Sequence, residues 1–232
     1  MYLDMTYIVL VLPAVILSLW ASWNVKHTYR KYAKQYNSRG LTGADAARRV
    51  LDANGLRNIP VERISGELTD HYDPEAKVVR LSDGVWNSTS TAAVGVACHE
   101  VGHAIQNAED YLPVKIRQAI IPATNIGAKL SVPLLMAGLI LCGFIPQLIY
   151  LAYVGVAGYG LCALFQLVTL PTEFDASRRA LRTIDGMGLL EGEEYAGAKK
   201  VLSAAALTYV AALATTLMQL LRFLIILNDR RR

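Results

Sequence analysis

Three cysteines in 232 residues are too few for a disulfide framework. Cys142 and Cys162 lie inside apolar blocks, where a thiol acts as a small hydrophobe, and nothing calls for an oxidising compartment. No basic stripe interleaved with aromatics is present. The net charge is only +4, and Lys and Arg cluster beside apolar blocks, as membrane-flanking anchors do, which argues against a nucleic-acid partner. Internal repeats and low-complexity tracts are absent. The chain has four histidines and none after His103. No downstream histidine can therefore complete a metal site begun near His103.

What is abundant is apolar residues, at 53% of the chain. They fall in four blocks, residues 5–23, 131–145, 148–170 and 207–227, each read as a membrane span. The first has Asp4 and no Lys or Arg ahead of it, which argues against a cleavable signal peptide. It is followed by Lys26, His27, Arg30, Lys31, Lys34 and Arg39, a cluster that marks the cytoplasmic side. The basic tail, residues 230–232, then falls outside and is outvoted by the other loops. Arg222 inside the fourth block would snorkel.

The organisation expected is a mainly α membrane protein. About four transmembrane helices carry a small α+β zincin-like (gluzincin) domain on the cytoplasmic face. Residues 1–24 form the first span and 25–111 a cytoplasmic zincin-like segment. Residues 112–170 form an amphipathic interfacial linker (112–129) and a transmembrane hairpin turning at Pro146. Residues 171–204 form a second cytoplasmic segment, and 205–232 the last span and tail. Within 25–111 the pattern predicts a helix over 44–53, strands at 61–64 and 77–82, and a strand end and turn at 71–74. A buried helix over 91–107 is capped by Ser90 or Thr91.

That helix carries His99-Glu100-Val101-Gly102-His103. At 3.6 residues per turn the two histidines share one face, one turn apart, and can hold one metal ion. Glu100 is turned about 100° away. It can reach a water in the metal's open position and act as general base. Cys98 is turned as far from His99 and reads as a buried structural thiol. The third ligand must be a downstream carboxylate, or else His71 or His27 upstream. Glu109 and Asp110 are too close along the same helix to swing back. Glu173 is the best placed, just after Leu170-Pro171; Asp175 reads as part of a T-x-x-D capping box with Thr172. His71 could donate to a tetrahedral oxyanion, or be a turn histidine held locally.

Four stretches carry a family resemblance: DHYDP (70–74), VVRLSDGV (78–85), AAVGVACHEVGHAIQ (92–106) and LPTEFDASRRAL (170–181). The chain resembles the YugP-type neutral zinc metallopeptidases of bacterial membranes. More distantly it is similar to gluzincins of the heat-shock membrane protease and CAAX prenyl endopeptidase kinds. The resemblance implies Zn²⁺ and peptidase activity, and matches Glu173 to the glutamate of E-x-x-A-D. Ser177 stands where that pattern has aspartate, so Asp175 or another residue would have to orient the ligand. The function expected is a zinc endopeptidase of the plasma membrane. It would be embedded in the lipid bilayer and face the cytoplasm, cutting membrane-associated proteins or peptides near the bilayer surface. A membrane scaffold or regulator with a structural zinc, and a hydrolase of non-peptide amides, are the rivals. Substrate is expected as an added strand along residues 77–82.

Overall fold

The computed structural model describes residues 5–229. Asp4 and residues 230–232 lie outside the described residues. In chain order the elements are α1 (Leu12–Tyr32), α2 (Gly43–Ala53), β1 (Val61–Ile64), β2 (His71–Asp73), β3 (Val78–Ser82), α3 (Asp83–Trp86), α4 (Thr91–Ala108), α5 (Leu112–Leu141), α6 (Ile149–Gly186) and α7 (Gly192–Asp229). Among the described residues, four stretches are long and apolar enough to cross a membrane: Tyr7–Tyr32, Leu112–Leu141, Pro146–Gly186 and Gly192–Asp229. The protein is a mainly helical, multi-pass membrane protein with a small mixed sheet. In hydrocarbon every backbone N–H and C=O must be satisfied within the segment, which a helix achieves.

These helices run further than the apolar blocks. Residues 112–129 are no separate linker but the first half of α5, which is unbroken through Pro122 and Pro133. Likewise α6 passes through Pro171 to Gly186. Prolines cost a backbone donor, yet helices of membrane proteins tolerate them where neighbouring groups compensate. Thr172 consequently lies within a helix and is not an N-cap. The capping box read at Thr172 and Asp175 does not exist. The chain breaks instead at Gly188 and Gly192, both with positive φ (57° and 51°), a conformation glycine adopts at no steric cost.

The chain divides into two units. One holds the described residues up to 20, then 115–170 and 209–229. Small residues let its backbones approach closely. A Cβ on Gly127 would stand 2.6 Å from the Gly158 oxygen, and one on Gly155 would stand 2.5 Å from the Ser131 oxygen. Ser18 Oγ and Thr215 Oγ1, 2.9 Å apart, join α1 to α7. Arg222 does not stand alone: its guanidinium lies 5.4 Å from the centre of the Tyr7 ring.

The other unit holds 21–114 and 171–208. Its core joins the inner faces of α2, α4, α6 and α7 to the sheet through Leu51, Leu81, Val94, Val101, Ile184 and Leu202. Thr42 and Asp45 form a reciprocal capping box that starts α2. Ser90 caps α4, accepting from the Ala93 N–H. The sheet order is β1-β3-β2, with β1 parallel and β2 antiparallel to β3. This overturns the expectation of an open edge along residues 77–82. β3 is the central strand, paired on both sides, and four of its five residues are buried. A strand of alternating apolar residues reads the same whether one or both flanks are paired, so only topology separates the cases. The edge toward α4 belongs to β2. Two aspartates of DHYDP hold that short strand. Asp70 accepts from the Ser82 N–H (2.7 Å) and Oγ (2.9 Å). Asp73 accepts from the N–H groups of Glu75 and Ala76, closing the turn into β3, and pairs with Arg80 at 2.7 Å.

Candidate metal centre

Helix α4 presents His99 and His103 on one face, their rings edge to face with centres 4.8 Å apart. Helix α6 brings Glu173 to them. One carboxylate oxygen, Oε2, lies 3.3 Å from His99 Nε2 and 3.5 Å from His103 Nε2. One ligand atom from each residue falls within 4.8 Å of the others. Gly102 makes the approach possible. A Cβ there would lie 2.7 Å from the Ala176 oxygen, so any larger residue would push α4 away from α6 at the level of Glu173. Glycine is therefore required by its lack of a side chain, inside the very pentapeptide that carries the histidines.

The separations discriminate between two kinds of contact. A charge-assisted N–H···O bond is about 2.7–2.9 Å long. Two donors on one zinc ion at about 2.0–2.1 Å each, in a tetrahedral arrangement, stand about 3.3–3.4 Å apart. The two distances, 3.3 and 3.5 Å, are longer than such a bond and lie close to the second spacing, and the donor set of two imidazoles and one carboxylate suits zinc. Burial acts to lower the His103 pKa, but the adjacent Glu173 carboxylate outweighs it and the pKa is raised. A cation at this point would replace that proton as the partner of the carboxylate.

The outward-facing ring nitrogens are held as well. His99 Nδ1 is 3.1 Å from Ser177 Oγ, and His103 Nδ1 is 3.0 Å from Gln106 Oε1. The Gln106 amide oxygen accepts from His103 Nδ1, and Ser177 Oγ is placed to accept from His99 Nδ1; with both protons on Nδ1, each Nε2 would offer its lone pair to a metal ion beside Glu173. Gln106 is fully buried and is fixed in turn, donating to the Thr172 carbonyl (2.8 Å) and to Asp175 Oδ2 (3.0 Å). Asp175 accepts from Arg179 Nε at 2.5 Å, and Arg179 also pairs with Glu109 at 2.6 Å. A continuous chain of polar contacts thus runs from Glu109 to His103.

Ser177 itself occupies the orienting position beside His99, although it departs from the aspartate of the resembling pattern. Asp175 acts on the other histidine, through Gln106. Neither Gln106 nor Tyr72 was singled out from sequence. Gln106 follows His103 by three residues and Ser177 follows Glu173 by four, both spacings that share a helix face. That periodicity was the available signal. Tyr72 had none, because its main chain does the work. The Tyr72 N–H donates to Glu100 Oε2 at 3.1 Å, and its hydroxyl accepts from Asn107. Strand β2 is thereby tied to α4 at both ends of one residue.

The other histidines lie elsewhere. His71 is exposed; its Nδ1 is 2.9 Å from the Thr69 oxygen and its Nε2 3.5 Å from Arg80 Nη1. His27 stacks on Trp23 with ring centres 5.0 Å apart. Neither joins the three-residue group. Cys98 is fully buried, and burial pushes its thiol up to about 12, so it stays protonated and is no ligand.

Comparison with known proteins shows the family to which the chain belongs. The sequence pattern of the family described as "Putative neutral zinc metallopeptidase" matches residues 7–228. The "Putative membrane protease YugP" of Bacillus subtilis (strain 168) is 47% identical over 227 residues, 97% of this chain and 99% of that protein. No solved structure matches. With four membrane-length helices, two histidines and a glutamate converging on one point, and a match over nearly its whole length, this chain belongs to the neutral zinc metallopeptidase family of membrane proteins.

Proposed function

We propose that the protein is a zinc-dependent endopeptidase of the plasma membrane that hydrolyses membrane-associated proteins or peptides on the cytoplasmic side. The observation that carries the reading is the spacing of the His99, His103 and Glu173 donor atoms, which suits one tetrahedral ion. Zinc held there supplies Lewis acidity to the attacking water and to the scissile carbonyl. Glu100 takes a proton from that water as its oxygen adds to the carbonyl carbon. It then hands the proton to the leaving amine as the C–N bond breaks. The Tyr72 N–H donated to Oε2 fixes the carboxylate, so the proton is assigned to Oε1. His71 is assigned an accessory part at the oxyanion. Its Nδ1 faces the Thr69 carbonyl and its Nε2 faces Arg80 Nη1, so the ring would have to turn to reach an oxyanion.

The cytoplasmic placement rests on the six basic or histidine residues that follow the first span. The substrate class rests on chain order: Glu173 comes three residues after the apolar stretch that ends at Leu170. Against a structural zinc stands the donor count. Closed sites use four protein ligands, and the group found among the described residues has three. A strand-lined approach would favour peptides over small amides, and β2 is the outer strand of the sheet on the side of Glu100.

Two variants test the reading. His103→Ala should lose zinc by elemental analysis; full retention would remove His103 from the site. Glu100→Gln should keep zinc and lose at least ~100-fold in turnover, the effect typical of a positioned acid–base group. Membrane-protein fragments compared in cells carrying either form provide the assay. An active Glu100→Gln protein would return the scaffold reading, or another mechanism, to first place.

A further inference from the structure

Where α1 leaves its apolar stretch and α7 approaches its own, a cavity of about 680 Å³ opens between the two helices, within the unit formed by residues 21–114 and 171–208. Its charged lining is of one sign, Lys31, Lys199 and Lys200 with no Asp or Glu, and His27 lies beside them. Thr28 and Ser203 add hydroxyls, and Ala204 and Leu207 supply an apolar side. Lys31 Nζ and Lys200 Nζ both sit over the one ring of Tyr32, 5.5 and 5.9 Å from its centre. Among the described residues neither forms an ion pair.

This convergence is built. A Cβ on Gly197 would stand 2.7 Å from Tyr32 Cδ1 and 2.6 Å from Gln35 Oε1, so glycine lets α7 close on α1 and carries Lys199 and Lys200 toward Lys31. The three lysines are exposed, so water screens their mutual repulsion, and an anion among them gains from all three charges at once. Hydroxyls beside lysines suit phosphate oxygens. Trp23, exposed and stacked on His27, is the residue type that sits at the level of lipid headgroups.

The geometry points to a phosphate-binding site whose occupant is the headgroup of an anionic phospholipid, with acyl chains leaving along the Leu207 side. Basic pockets where helices leave the membrane bind such headgroups through several point charges at once. The site is separate from the metal centre: no lining residue belongs to the metal group or to its hydrogen-bonding partners.

The test uses the full-length protein in an uncharged detergent. Binding of short-chain phosphatidylglycerol, short-chain phosphatidylcholine and inorganic phosphate is measured by native mass spectrometry and by thermal shift. Phosphatidylglycerol should bind at low stoichiometry and raise the melting temperature, with phosphatidylcholine much weaker. In Lys31→Gln/Lys200→Gln the affinity should fall about 30-fold, as expected for two basic groups beside an anionic headgroup. The control Arg57→Gln/Lys77→Gln removes the same charge elsewhere and should leave binding within about 2-fold. Equal losses in both variants would reduce the effect to net charge and overturn the site. Inorganic phosphate binding as tightly as the lipid would overturn the headgroup assignment in favour of a soluble phosphate compound. Zinc content should be unchanged throughout, so failure here is distinct from failure of the peptidase reading.

Discussion

Replacing Gln106 by Met keeps the side-chain length and removes three polar contacts at once. His103 loses the oxygen 3.0 Å from its Nδ1, and two buried donors to Thr172 and Asp175 disappear. Asp175 keeps Arg179, so no buried carboxylate is stranded. The stability cost is then two neutral hydrogen bonds and one to a carboxylate, about 4 kcal/mol in all before any gain from the more apolar side chain. The cost to metal binding is more specific. Without an acceptor for its Nδ1 proton, His103 is free to rotate and to change tautomer, and partners of this kind typically carry 10–100-fold in metal affinity. Zinc affinity, measured by competition with a chromogenic chelator, should fall within that range while the far-ultraviolet circular dichroism is unchanged. Gln106→Glu separates orientation from packing. It retains an acceptor for His103 but sets a carboxylate against Asp175, so it should bind zinc better than Gln106→Met and melt lower than wild type. Unaltered zinc affinity in Gln106→Met would refute the reasoning, because the hydrogen bond would then have no part in holding the ligand.

Gly102→Ala places a methyl 2.7 Å from the Ala176 oxygen. It should lower stability by about 1–3 kcal/mol, as overpacking does, and weaken zinc binding by moving α4 off Glu173; a thermal melt and a chelator titration read the two effects. Val79→Pro should prevent folding, since the Val79 N–H donates to Pro60 at 3.0 Å and β3 is interior; a folded, soluble variant would contradict the sheet order. A cysteine introduced near residue 88 should resist an impermeant reagent added outside intact cells and react once the membrane is opened. Labelling from outside would invert the proposed topology.

The sequence by itself determined what depends on local periodicity. Apolar runs of membrane length become helices whatever their neighbours, because the bilayer leaves the backbone no other partner. The strand at Val61–Ile64, the helix bearing His99 and His103 and its Ser90 cap were legible for the same reason. The pairing of those histidines was legible too, since a spacing of four fixes one face of a helix. What only the tertiary structure decided involves groups distant in the chain. Residues 170–172 carry proline and a capping pattern and read as a helix start, yet α6 runs through them, because a proline in a long helix loses one donor and need not end it. The flanks of β3 were undetermined, since side-chain alternation reports burial of faces and says nothing about which edges are paired. The attachment of Glu100 to the Tyr72 main chain has no side-chain signature at all. The meeting of Lys31 with Lys200, from opposite ends of the chain, depends on a glycine whose missing side chain matters only once two helices touch.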